Sequence, residues 1–307
     1  MPCTHGPKGA KMELRVLRYF TAVVDEGSIT DAAKVLHVTQ PTLSRQLAQM
    51  ETEMGTELFT RGRGGIELTD RGAVLNRYAR DILALADKAE EEVAMPQSSV
   101  VGTVHIGAGE TRAFSVVAAA CARVRNRYPG VMFDVHDGTS ADLKEHFARG
   151  FYDLLLDCDS GENAEFNQLV LPIHDEWGVV IRQDDPLATL DAITAKDLRG
   201  RTLITPPHGG GRMLRSWAGS SYSELSRQVA ATYGLPLNSK HLVREGIGIM
   251  LTYDGLVSGV SGAGDEAKEL CFRPLTPCVK SIHKVLWRKV MPTKPTQALL
   301  DELALLA

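Results

Sequence analysis

Between Leu14 and Met54, apolar residues recur at helical spacing in three short runs broken by a glycine and a polar corner. Leu14 to Glu26 forms the first run, with Leu17, Phe20, Ala22 and Val24 supplying apolar contacts. Ser28 is placed to cap a second helix, with Asp31 in the reciprocal capping position. The small pair Ala32 and Ala33 lets a neighbouring helix cross closely. Thr39 is placed to cap a third helix, whose Pro41 falls in the first turn, where a missing N–H costs little. Leu43, Leu47, Met50 and Met54 then make one buried stripe, and Thr42, Arg45, Gln46 and Gln49 share the opposite face. All four of the latter side chains can donate hydrogen bonds. Such a face suits the major groove of double-stranded DNA, where arginine pairs with guanine and glutamine with adenine.

The periodicity changes after Met54-Gly55. Glu57 to Thr60 and Ile66 to Thr69 read as two short strands around the tip Arg61-Gly62-Arg63-Gly64-Gly65. Directly after a recognition helix this reads as a wing, with Arg61 and Arg63 reaching a neighbouring minor groove. Asp70 to Val93 is a long helix capped by Thr69 or Asp70. Its apolar tracks, Leu75/Ile82/Ala89 and Ala79/Ala86/Val93, recur every seven residues, which suggests pairing with a second copy. Met95 to Ser99 reads as a hinge.

From Val100 onward strand and helix alternate. Strands are expected at Val101–Ala108, Val131–His136 and Tyr152–Asp157, with helices at Arg112–Tyr128 and Thr139–Gly150 between them. Further segments are expected at Leu169–Pro172, Trp177–Arg182, Leu198–Thr205, Arg212–Ala230 (a helix) and Leu242–Tyr253. Cys271–Leu275 and Ser281–Lys289 read as closing strands, and Thr296–Leu306 as a last helix. The alternation predicts an α/β, doubly wound parallel sheet. Ligands of such sheets lie beyond the carboxyl ends of the strands, against helix N-termini. That points to Gly109, Glu110, Thr111 and Arg112 after the first strand and to Thr139 and Ser140 at a helix start. Across the gap it points to Thr205, Pro206 and His208. Glu110 disfavours a simple carboxylate ligand and admits an amine or zwitterion, unless it pairs with Arg112 at the surface.

Composition adds limits. A chain of 307 residues, 44% hydrophobic and 23% charged, accommodates two or three globular domains. No apolar run is long enough to cross a membrane, and the N-terminus lacks a secretory pattern, so a cytoplasmic protein is expected. Met1 to Lys11 reads as an extension and is left out of the fold reasoning. The net charge of −4 does not advertise DNA binding. Nine bases balance nine acids between Met12 and Arg80, so the placement of Arg45, Arg61 and Arg63 has to carry the case. Few phosphate contacts per subunit imply that dimerisation supplies much of the specific affinity. Cys3, Cys121, Cys158, Cys271 and Cys278 show no metal spacing. Cys271 and Cys278 read as small residues near a strand rather than a redox pair. The histidines suggest no metal site, and no cofactor is expected. His208-Gly209-Gly210-Gly211 mimics an oxyanion loop without a GxSxG elbow, and neither GxGxxG nor a P-loop is present, so nothing points to an enzyme.

Leu17-Arg18-Tyr19-Phe20, Gly27-Ser28-Ile29, Ala32-Ala33, Val38 to Leu47, Glu57-Leu58-Phe59 and Leu68-Thr69 resemble, in order and spacing, the N-terminal part of the LysR-type transcriptional regulators. The rest of the chain resembles that family's effector domain by pattern rather than by identity. The resemblance implies a winged helix-turn-helix DNA-binding domain over 12–69, a linker or dimerisation helix over 70–95, and an effector-binding domain over 96–307. Within the last, one lobe is expected over 100–167 and 268–307 and the other over 168–267. It implies DNA contacts from Ser28, Thr30, Thr39, Gln40, Pro41, Thr42, Ser44, Arg45, Gln46, Gln49, Arg61 and Arg63. The cleft residues named above, with Tyr253, are implied to line a cavity for a small-molecule effector. A homodimer or homotetramer is implied, RNA polymerase is an admissible partner, and no membrane is involved. The competing reading is a cytoplasmic small-molecule binding protein with an incidental helical N-terminal domain.

Overall fold

A computed structural model describes residues 12–62, 65–94, 99–158, 164–207, 211–258 and 270–307. The extension before Met12, wing residue Arg63, His208 with its two following glycines, and most of the hinge after Ala94 lie outside the described residues. The chain divides into two compact units, Met1–Ala94 and Met95–Ala307.

In the first unit α1 (Leu14–Glu26), α2 (Ile29–Val35) and α3 (Gln40–Met54) precede a hairpin of β1 (Phe59–Gly62) and β2 (Gly65–Leu68), and then α4 (Asp70–Ala94). Leu17, Phe20, Val23, Ala32, Ala33, Leu43, Leu47 and Met50 form one core, joined by Leu75, Ala79 and Leu83 of α4. Ser28 caps α2, accepting the Asp31 N–H at 3.3 Å. The Asp31 carboxylate takes up Lys34 at 2.7 Å. Thr39 occupies the cap position of α3, but its hydroxyl bonds that of Thr42 at 2.8 Å rather than a backbone N–H. The corner between α2 and α3 is made by His37, with φ of 54°, in the left-handed region. Val38 N–H then returns to the Ala33 carbonyl at 2.9 Å.

The hairpin is tied on both sides. Glu51 Oε1 accepts the backbone N–H groups of Leu58 (2.7 Å) and Phe59 (3.2 Å), and Ile66 N–H donates to the Gly27 carbonyl at 3.2 Å. Thr69 caps α4 through the Gly72 N–H at 2.9 Å. Gly72 is obligatory, since a Cβ there would lie 2.0 Å from the Leu58 carbonyl oxygen. The expected seven-residue track of α4 is split. Leu75 is buried in the unit's own core, whereas Ile82 is exposed beside Val74 and Tyr78. One helix therefore carries two adjacent apolar stripes, and the core of the first unit covers the first but not the second.

The second unit comprises β3 (Gly102–Ala108), α5 (Phe114–Arg127), β4 (Val131–Asp137), α6 (Ser140–Arg149), β5 (Leu154–Asp157), β6 (Phe166–Arg182) and β7 (Leu203–Thr205). There follow α7 (Gly211–Ala218), α8 (Tyr222–Arg227), β8 (Val229–Thr232), α9 (Pro236–Arg244), β9 (Ile249–Tyr253), α10 (Gly255–Ser258), β10 (Leu270–Pro274), β11 (Lys280–Arg288) and α11 (Lys294–Ala304). The strand order is β4-β3-β5-β11-β6-β9-β7-β8, with β10 also on β6. The sheet is mixed rather than wholly parallel. β3 runs parallel to β4 and β5, and β7 to β8 and β9, but β6 and β11 run antiparallel to their neighbours. The two runs expected at 169–172 and 177–182 are one strand of 17 residues. The helix expected over 212–230 breaks into α7, α8 and β8, and the strand at 198–205 shrinks to three residues.

The two largest cores of the second unit both pack on β6. Val104, Ile106, Val117, Val131, Leu154, Leu171, Val285 and Leu299 fill the first, and Trp177, Val179, Ile193, Leu203, Ile249, Leu251 and Leu275 the second. Leu169, Leu171 and Ile173 pack with the first core, and Leu275 and Val279 with the second. The change of core thus falls in mid-β6 and just before β11, whereas the family resemblance implied lobe bounds at 167/168 and 267/268. The physical reason is that β6 is continuous, and a continuous strand carries no composition break where it changes core.

Candidate functional site

Helix α3 is held by burial of Leu43, Leu47 and Met50. Gln40, Pro41, Arg45 and Gln49 are exposed, while Thr42, Ser44 and Gln46 are half-buried. Among the described residues Arg45 has no ion-pair or hydrogen-bond partner, so its guanidinium donors are uncommitted. Gln49 donates to Glu53 at 2.8 Å. Gln46 and Gln49 both border a small recess with Met12, Val16 and Met50. Thr30 and Thr39 are exposed and Ser28 half-buried. Arg61 lies in the β1 backbone ladder opposite Ile66.

Several of the charges that balance in the first unit also meet in space. Asp25 pairs with Arg80, Asp31 with Lys34 and Asp87 with Arg18, and Glu51 is occupied by backbone N–H groups. Each of these ion pairs uses one base for one acid, whereas Arg45 has no partner among the described residues. Glu51 is a structural residue that pattern reading passed over, because its partners lie seven and eight residues on, beyond helical reach.

In the second unit a cleft of about 360 Å³ opens beyond the strand ends. That volume lies within the range of small-molecule sites. Gly109, Glu110, Thr139, Ser140, Pro206 and Tyr253 line it as the strand-end argument expects. Lys144, Trp177, Tyr233, Leu235 and Pro236 line it too and were not anticipated. Two helix starts face the space: α6, capped by Thr139 through the Asp142 N–H at 3.3 Å, and α9, which has no side-chain cap. Pro236 in the first turn of α9 was the legible signal for the second start. Tyr253 is fixed by the Ser281 hydroxyl at 3.1 Å and stands edge-on to Trp177 at 4.6 Å. Burial, with Asp137 adding to it, raises the Glu110 carboxyl above its ordinary value, opposed by Lys240. Lys144 reaches Asp157 at 3.2 Å.

Thr111 and Arg112 point elsewhere. Thr111 is buried and donates to Asp175 at 2.5 Å, although it also borders a second cavity with Glu110 and Lys240. Arg112 donates from Nε to Asp175 at 3.0 Å and pairs with Asp254 at 3.0 Å. The surface pair of Glu110 with Arg112 is therefore not formed. Asp175 of β6 and His283 of β11 are both fully buried and lie 3.2 Å apart. Burial pushes the Asp175 carboxyl up, but bonds from His283, Thr111 and Arg112 outweigh it and leave the group below its ordinary range. No local signal could reveal this cluster, whose hydrogen-bonded partners are 63 to 172 positions apart. His208 lies outside the described residues, and Thr205 is buried and borders a different cavity, with Leu214 and Tyr222.

The chain matches a family model described as "Bacterial regulatory helix-turn-helix protein, lysR family" over residues 14–73, and a "LysR substrate binding domain" over residues 97–306. It is similar to an uncharacterized HTH-type transcriptional regulator, YvbU of Bacillus subtilis, at 28% identity over 257 residues, covering 81% of this chain and 84% of that protein. It is also similar to the HTH-type transcriptional regulator BudR of Raoultella terrigena, at 31% identity, covering 64% of this chain and 68% of that protein. In fold it resembles full-length CbnR crystallised with its target DNA, with a TM-score of 0.70 and 19% identity, covering 96% of this chain and 100% of the other.

Proposed function

The chain belongs to the LysR family of DNA-binding transcriptional regulators, and from that premise we propose how its own residues act. Arg45, with Gln40, Thr42 and Gln49 around it, reads base edges in the major groove, while the β1–β2 hairpin brings Arg61 and Arg63 to a flanking minor groove. Pairing of two chains along the uncovered stripe of α4 doubles the interface, as a homodimer or a tetramer of such dimers. The observation that carries this reading is the open guanidinium of Arg45 on a helix whose opposite stripe is buried.

In the second unit we propose two lobes that exchange chain within β6 and ahead of β11, with the effector in the cleft between them. The ligand expected is a small zwitterion with an apolar body packed by Trp177, Leu235 and Leu256, its anionic group facing the uncapped start of α9 and its amine facing Glu110. Its binding shifts the lobe angle and so the geometry of the paired DNA-binding units. The protein acts in the cytoplasm, and as a regulator rather than an enzyme; contact with RNA polymerase belongs to the same proposal.

The test is a mobility shift on the DNA upstream of its own coding region, with and without the Arg45→Ala change. Loss of one base-edge contact costs about 1–3 kcal/mol per subunit. Specific binding is expected to vanish while the fold persists. An unchanged footprint sinks the assignment.

A further inference from the structure

Away from both surfaces, β3 and β4 bring together three side chains with the chemistry of a metal site. His105 and Asp134 are register partners across the parallel pair, and His136 lies two residues further along β4. Val104, Ile106, Val131 and Phe133 point into the first core, which leaves His105, Asp134 and His136 on the opposite face. A single oxygen, Asp134 Oδ2, lies 3.1 Å from His105 Nδ1 and 2.8 Å from His136 Nε2. The three ligand atoms fall within 4.8 Å of one another.

Those separations are close to what a transition ion requires. Ligands about 2.1 Å from a tetrahedral ion stand about 3.4 Å apart, so only small rotations of the two imidazoles are needed. The supports are rigid. Asp153 accepts the His105 N–H at 2.8 Å and returns its own N–H to the His105 carbonyl at 2.8 Å. The His136 ring rests on that of Tyr152 at 5.3 Å. Asp134 and His136 are about half exposed, so one side of the cluster is open to solvent. Two neutral imidazoles and one carboxylate select an ion of the zinc class, not magnesium or calcium, which prefer oxygen ligands.

We propose that His105, Asp134 and His136 form a binding site for one divalent transition ion of the zinc class, with water completing the coordination. The proposal stands apart from the effector reading.

The test uses the full chain, freed of metal by chelation and titrated with Zn²⁺ against a chromophoric chelator. His136→Ala and Asp134→Asn are the variants, each checked for an unchanged melting profile in the absence of metal. The expected result is one tight Zn²⁺ per wild-type chain and a loss of affinity beyond ~100-fold in both variants, the upper end of what losing even an outer hydrogen-bond partner costs. Co²⁺ should give the visible band of a four-coordinate ion in the wild type alone. If both variants keep wild-type affinity, or if the wild type takes up Zn²⁺ no better than Mg²⁺, the cluster is only a carboxylate hydrogen-bonded to two histidines.

Discussion

Two substitutions seven residues apart on α4 should have opposite consequences, although the sequence repeat treats the positions alike. Leu75 is 8% exposed and packed within the helix-turn-helix core. Truncating such a leucine costs about 2–5 kcal/mol, and a buried carboxylate adds more, against a total domain stability of roughly 5–15 kcal/mol. Leu75→Glu should therefore unfold the first unit. Ile82 is 38% exposed, on the same side of the helix as Val74 at 53%, Tyr78 at 46% and Val93 at 86%. Together these leave roughly two apolar side chains per protomer in water, each worth about 1.5–3 kcal/mol if buried. A symmetric pair thus gains ~8 kcal/mol, no more than the lower part of the cost of association. A dimer so balanced does not tolerate two facing carboxylates: Ile82→Glu should raise the dissociation constant by more than ~100-fold, about 3 kcal/mol, with the melting of the protomer unchanged. Sedimentation velocity over a concentration series and far-ultraviolet circular dichroism separate the two outcomes. A folded monomer from Leu75→Glu, or unchanged sedimentation for Ile82→Glu, refutes the division of the helix into two stripes.

The other predictions concern single contacts. Asp175 has a depressed folded pKa, so its contribution is complete above the ordinary value of about 3.9 and is lost as pH falls through the lower folded value. Asp175→Asn should cost about 3–5 kcal/mol at neutral pH and flatten the acid limb of stability below pH ~4, measured by urea unfolding; an equally steep limb argues against it. Gly72→Ala sets a methyl group against the Leu58 carbonyl oxygen, and urea unfolding should show a loss of ~3 kcal/mol or more; a loss below 1 kcal/mol is incompatible with that approach, since even ordinary overpacking costs about 1–3 kcal/mol. Glu51→Ala should loosen the hairpin, seen as faster hydrogen exchange at Leu58 and Phe59; unchanged exchange removes the assigned tie.

The helix-turn-helix was legible because its determinants are local. Apolar spacing on α3, the Ser28 cap and the glycine-rich hairpin all act within a few residues. Strand ends and helix starts likewise pointed to Glu110, Thr139 and Pro206 in the cleft. What escaped was set by distance along the chain. Thr111 and Arg112 look like loop residues facing a ligand, yet they are drawn to Asp175, which arrives on a strand more than sixty residues later.

The order of amino acids by itself determined the helices and hairpin of the first unit and the strand–helix alternation as far as β5, which face of α3 stays wet, and where strand ends leave room for a ligand. Tertiary structure alone decided the direction of β6 and β11, the division of α4 between an inner and an outer stripe, and the meeting of His105 with Asp134 and His136. Periodicity is a property of neighbours along the chain, whereas strand direction, burial and side-chain convergence depend on which distant segments share a core.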